Sequence, residues 1–291
     1  MIANYESLAT LKLLAAGYKV FVIDYLGGFT GPQAYVNNIE AGHAMLDAAR
    51  TAVDMGATTS HTPVGFWGYS QGGAASALDA TLHSSYAADV NLKGAYAGAP
   101  PLDLINVNQR IDGTMITAGA LMGLNGFASR FPDVEVHVDN IMNEEGKKVL
   151  KRLANECIAD SVFSTAYTQT KDLMKDGLPL CQHMRDTPLM RWHMDQQLAA
   201  AHRIPDVPVL IISNPYDDIV SYGQAETANK IWCDAGAKTT FLRYHYDSSL
   251  PGTGLAHMMP GFAASDTALD FMTQLFNGNA PTSCTVRDLN K

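Results

Sequence analysis

The chain has 291 residues, 47% of them hydrophobic and 17% charged, enough to bury one sizeable core with an insertion. Its formal charge of −9, from 20 basic against 29 acidic residues with no lysine or arginine cluster, argues against nucleic acid and anionic membrane surfaces as partners and for an uncharged substrate. No apolar run reaches the roughly 18–20 residues of a membrane span, and Met1 to Glu6 show neither the basic start nor the long apolar segment of a signal peptide.

Taken in chain order, apolar positions at helical spacing predict a helix over 4–16, a strand over 18–24 and a helix over 33–55, where Val36, Ile39, Leu46 and Val53 share a face. A strand over 62–68, a helix over 73–87 and a strand over 92–98 follow. From Pro100 to Pro205 the pattern offers no strand, only helix-compatible stretches at 112–129, 144–160 and 189–202. Within the first of these, Met115 to Leu124 is apolar on nearly every face, which suits either a core helix or one that turns a side toward an apolar substrate. A strand over 207–213, a helix over 222–236 and a strand over 239–245 restore the alternation. This rhythm predicts an α/β fold, a doubly wound and mostly parallel sheet, with 1–100 and 206–291 as its core. Residues 101–205 are expected to form a helical cap over the strand ends, where open α/β sheets bind ligands.

The chemistry-bearing motif is Gly68-Tyr69-Ser70-Gln71-Gly72, a G-x-S-x-G string between an apolar strand and an alanine-rich helix. In such an elbow the serine takes a strained conformation, and the flanking glycines let neighbouring backbone pass close by. Ser70 is then lifted clear of the sheet, and the Gln71 amide lies at a helix N-terminus, where it can stabilise an oxyanion. A serine hydroxyl needs a base and the base needs an orienting carboxylate, here expected in the order serine, acid, histidine. The loop after the 207–213 strand offers Asp217 and Asp218. Asp217 is the expected acid because it comes first in the turn and leaves Asp218 free to cap or to face water. His257 is the expected base. It lies in the glycine-bearing loop Gly252 to Pro260, long enough to reach Ser70, whereas His245 still belongs to the strand. The four cysteines show no CxxC pattern, which argues against zinc; two disulfides and four reduced thiols are equally compatible with the count.

Together these segments resemble the secretory lipases of fungi and actinobacteria, typified by Candida antarctica lipase A, across nearly the whole chain. The resemblance rests on the Gly68–Gly72 elbow, on Tyr216-Asp217-Asp218-Ile219-Val220-Ser221-Tyr222 as the acid loop, on His257 ahead of Gly261-Phe262, and on Val20-Phe21-Val22-Ile23-Asp24-Tyr25-Leu26-Gly27. It implies an α/β hydrolase with a helical cap, favours Asp217 over Asp218, and gives Asp24 an oxyanion-hole role beside Gln71. It also implies a late disulfide, Cys233 with Cys284, leaving Cys157 to pair with Cys181 by remainder. Family members carry strands ahead of the point where this sequence opens, including one between the 18–24 and 62–68 strands. The expectation is therefore a chain lacking its leader and first strands, from a secreted or cell-envelope protein.

The expected activity is that of a serine carboxylic ester hydrolase, a triacylglycerol lipase by preference because the cap interval is large and apolar. It forms an acyl-enzyme on Ser70 and needs no metal or cofactor. Two alternatives stay open: a cutinase-like or small-ester esterase, and a noncatalytic hydrolase-like binding protein.

Overall fold

The computed structural model describes residues 7–27 and 33–289. Its frame is a five-stranded, wholly parallel sheet in the order β1 (Val64–Tyr69), β2 (Leu92–Gly98), β3 (Val209–Ser213), β4 (Thr239–Arg243) and β5 (Thr285–Asp288). Parallel neighbours require crossover connections, and helices supply them. Helices α1 (Ser7–Ala15) and α2 (Asn38–Asp54) precede β1, and α3 (Gln71–Tyr86) joins β1 to β2. Between β2 and β3 the chain runs through α4 (Leu104–Ile111), α5 (Ala118–Arg130), α6 (Pro132–Ile141), α7 (Glu144–Leu153), α8 (Ile158–Thr165), a short 3₁₀ turn, α9 (Leu180–Asp186), α10 (Pro188–Gln197) and α11 (Ala199–His202). After β3 come α12 (Tyr222–Asp234), β4, α13 (Leu255–Ala263), α14 (Ser265–Phe276) and β5.

Strand side chains alternate between two cores, as the pleat dictates. Ala95, Ala97, Val209, Ile211 and Phe241 point to one face, where α2, α3 and α12 bury Leu46, Leu78 and Trp232 against them. Tyr96, Leu210, Ile212 and Leu242 point to the other, against Ala268, Met272 and Leu275 of α14. The β2–β3 insertion has a third core of its own, built on Leu121, Val138, Met142, Leu180 and Met190. Leu121, Met122 and Leu124 are all buried in it, so the apolar stretch of α5 packs as a core helix.

One expected strand is not a strand. Residues 18–24 make no ladder bonds, Phe21 and Val22 are 46% and 72% exposed, and β1 pairs only with β2 among the described residues. A strand exists by sharing backbone hydrogen bonds with a neighbour. Without one, this segment forms no regular element. It is held by Tyr18 against Thr273 and Phe276, by the Lys19 ammonium on the Ala57 carbonyl, and by Ile23 and Tyr25 against the main core. Residues 4–6 of the expected first helix lie outside the described residues. In the other direction, β5 escaped sequence reading because Thr285 to Asp288 are all exposed and carry no apolar alternation.

Cys233 at the end of α12 and Cys284 before β5 form a disulfide across 51 positions, tethering the exposed edge strand to the core. The second expected pairing is wrong: Cys157 and Cys181 are both free. Cys157 is exposed ahead of α8 and donates its thiol to the Asp160 carboxylate at 2.9 Å, whereas Cys181 is buried on α9. Replacing Cys233 and Cys284 together by serine is expected to lower unfolding free energy in urea by about 2–4 kcal/mol. Cys157→Ser, on an exposed position, is expected to change it by less than about 0.5 kcal/mol.

A second stability prediction concerns Asp79, wholly buried in α3, whose carboxyl oxygens make no hydrogen bond. Burial pushes its pKa well above the usual carboxylate range. The folded state then holds a proton that the unfolded chain releases near pH 4, so stability falls as pH rises from there toward the folded-state pKa. Asp79→Asn removes that dependence. It should raise stability at pH 7 and flatten the stability profile above pH 4; a variant less stable than the parent at pH 7 would refute this.

Candidate active site

In a parallel sheet every strand ends on the same rim, so the segments following β1, β3 and β4 emerge side by side. Ser70 sits between β1 and α3 with φ 55° and ψ −121°, a region that a side chain enters only under strain. Its amide donates to the Gly98 carbonyl at 2.8 Å, pinning the elbow to the end of β2. Glycine is compulsory on both sides of it. A Cβ on Gly68 would lie 1.9 Å from the Gly72 carbonyl oxygen, and one on Gly73 would lie 2.2 Å from the Gly98 carbonyl oxygen.

The Ser70 hydroxyl donates to His257 Nε2 at 2.8 Å, and His257 Nδ1–H donates to Asp217 Oδ2 at 2.8 Å. The tautomer follows from the carboxylate, which only accepts, and leaves Nε2 free to take the serine proton. Asp217 and His257 are each 1% exposed. The other Asp217 oxygen accepts from the amides of Ile219 and Val220 at 2.8 and 2.7 Å, so the carboxylate is held by three N–H donors. Three side chains from distant positions in the sequence thus meet in one hydrogen-bonded chain. Asp218 points elsewhere, to the amides of Gly254 and His257.

Gln71 is the first residue of α3, so its amide belongs to the turn whose N–H groups have no intrahelical partner. Asp24 lies on the neighbouring edge segment. It is exposed, its carbonyl accepts from Gln33 Nε2 at 3.1 Å, and no hydrogen bond joins its side chain to Ser70. Tyr25, with φ 56°, brings its hydroxyl to 3.5 Å from the position of a Cβ on Gly72, which places this segment beside the elbow. Among the described residues no group of His, Cys, Asp and Glu side chains is arranged to hold a metal ion.

Several supporting residues escaped notice as parts of the site. Asn214 is buried at the end of β3 and uses its whole amide. Its Nδ2 donates to the carbonyls of Tyr246 and Ala256 at 2.7 and 2.8 Å, and its Oδ1 accepts from the amides of Tyr216 and Tyr246 at 3.1 and 3.2 Å. It therefore staples the acid loop to the histidine loop. The Tyr69 hydroxyl donates to the His257 carbonyl at 2.5 Å; burial, reinforced by Tyr96 and Asp217, pushes its pKa well up and keeps it a donor. Arg110 reaches from α4 to donate to the Asp217 carbonyl. Only the asparagine directly after an apolar strand had a readable cue, as a turn former.

Gly68→Ala tests the elbow. It is expected to cost at least about 4 kcal/mol of stability or prevent folding. Gly223→Ala in α12, where the nearest atom to a new Cβ is 4.0 Å away, should change stability by less than about 1 kcal/mol in the same denaturation assay.

Comparison with known proteins identifies the family and the fold. The secretory lipase family model matches residues 1–284. The chain is 26% identical over 282 residues to the secreted triacylglycerol lipase LIP1 of Malassezia furfur, covering 92% of this chain and 54% of that protein. It is 27% identical to Lipase 10 of Candida albicans, covering 96% of this chain and 60% of that one. The chain thus spans little more than half the length of these curated relatives. Candida antarctica lipase A in its closed state superimposes with a TM-score of 0.76 at 24% identity, over 85% of this chain and 56% of that one, which fixes the fold as that of an α/β hydrolase. By the near full-length family match, this chain belongs to the secretory lipase family.

Proposed function

We propose that this chain carries the reaction centre of a secreted serine hydrolase that cleaves acylglycerols or other lipid esters. The observation carrying this reading is the hydrogen-bonded run from Ser70 through His257 to Asp217 at 2.8 Å per step. Ser70 Oγ attacks the acyl carbon while His257 Nε2 takes its proton, and Asp217 holds the imidazole in orientation. The oxyanion faces the start of α3, where the Gln71 amide donates, with the Asp24–Tyr25 segment completing that side. His257 then protonates the departing alcohol. A water deprotonated by His257 attacks the acyl-enzyme, releasing the acid and restoring Ser70.

The substrate class rests on the family and on the surroundings. Leu255, Met259 and Phe262 stand exposed at i, i+4 and i+7 along α13, the helix that bears His257. An apolar stripe next to the histidine suits an acyl chain better than a charged substrate. Residues 101–205 act in this reading as the cap, since Arg110, Val220 and the Met115 amide on the Gly252 carbonyl join the insertion to the loops bearing Asp217 and His257. Secretion accords with the names of the relatives and with the Cys233–Cys284 disulfide, which needs an oxidising compartment.

A fluorophosphonate probe is expected to modify Ser70 stoichiometrically. Ser70→Ala should abolish labelling and lower hydrolysis of emulsified triacylglycerol by about 10⁴–10⁶-fold. Folded protein that takes no label would overturn the reading in favour of a noncatalytic binding protein. Labelling with turnover confined to short, soluble esters would replace lipid by small-ester substrates.

A further inference from the structure

The helix carrying His257 lacks a cap of its own. Gly254 precedes α13 in the left-handed region, with φ 84°, and has no side chain with which to satisfy the first amides. Asp218 does this from a loop 36 positions away: its Oδ2 accepts from the Gly254 amide at 2.9 Å, and its Oδ1 accepts from the His257 amide at 3.1 Å. In an ordinary capping box two residues of one helix share these bonds between the cap and the third helical residue. Here one carboxylate, from outside the helix, makes both.

The consequence lies in which residue is gripped. Asp217 holds the His257 imidazole, Asp218 holds the His257 amide, and Tyr69 holds the His257 carbonyl. Because Asp217 and Asp218 are consecutive, the distance between ring partner and backbone partner is fixed by a single peptide unit. The negative charge also stands at the positive end of the α13 dipole, which favours it there. We propose that Asp218 is a positioning residue for His257, setting the height of its backbone so that the ring spans Asp217 and Ser70 at once. This inference rests on the ester-hydrolase reading above for its kinetic consequences but not for its structural one.

The test compares Asp218→Ala and Asp218→Asn with Asn143→Ala, which removes the cap of α7 in the insertion, where Asn143 Oδ1 accepts from the Gly146 amide at 2.9 Å. With kcat expressed per fluorophosphonate-titrated site, Asp218→Ala should fall about 10–100-fold with KM within about twofold. Asp218→Asn, keeping one acceptor oxygen, should fall in between, and Asn143→Ala should lose comparable thermal stability with kcat unchanged. The far-downfield proton resonance expected of His257 Nδ1–H in the parent should broaden or vanish in Asp218→Ala. An Asp218→Ala protein that keeps both that resonance and kcat within about twofold of the parent, or that resembles Asn143→Ala throughout, would overturn the proposal. A parent that shows the resonance but neither labels nor hydrolyses esters would sink the hydrolase reading alone, and the loss or persistence of the resonance would still decide the role of Asp218.

Discussion

The arrangement depends on one buried carboxylate. Removing an acid from water costs several kcal/mol unless donors replace the water, and Asp217 receives three N–H bonds, two from its own loop at Ile219 and Val220 and one from His257. The first two shape the turn after β3 into a cradle; the third, from the imidazole, completes it. The histidine is therefore drawn to one place and one tautomer, and Nε2 is left facing the elbow. Asn214 and Asp218 reinforce this from the same loop, so a stretch of five residues, Asn214 to Asp218, fixes the acid, the histidine loop and the start of α13 together.

The helical insertion shares in this. Val220, whose amide binds Asp217, belongs with its side chain to the insertion core, while Arg110 of α4 holds the Asp217 carbonyl. The acid loop is thus built partly from the sheet and partly from the 104–202 helices. A rearrangement of α4 is felt at Asp217 through a direct bond rather than through solvent.

Much of this was legible in the residues. Strands 92–98, 207–213 and 239–245 read directly because buried parallel strands are continuous apolar runs closed by turn residues. Ser70, Asp217 and His257 could be picked out because an elbow needs glycines, an acid must follow a late strand and a base needs a long loop. What could not be read were contacts between distant positions. Nothing local distinguishes Asn214 as a staple, Asp218 as a remote cap or Arg110 as a tie, since each acts on backbone groups that only folding brings near. The same limit explains Cys157 and Cys181: a count of cysteines carries no distances. Segment 18–24 failed for a related reason, since its β-prone composition gives no information about whether a neighbouring strand lies beside it.

That last segment makes the two sides of the site unequal. On the proton-relay side, each residue follows a strand locked in the ladder, β1 before Ser70, β3 before Asp217 and β4 before the His257 loop, and each loop is cross-linked to the next by buried hydrogen bonds. On the side proposed to hold the oxyanion, the Gln71 amide shares that rigidity through α3, but Asp24 and Tyr25 hang on a segment outside the ladder, held by a few side-chain contacts. A donor stabilises a transition state only as far as it is held in place beforehand. In the proposed reaction, proton transfer is therefore preorganised by the sheet itself, whereas any share that Asp24 and Tyr25 take in holding the oxyanion depends on how firmly Tyr18, Lys19, Ile23 and Tyr25 anchor their segment.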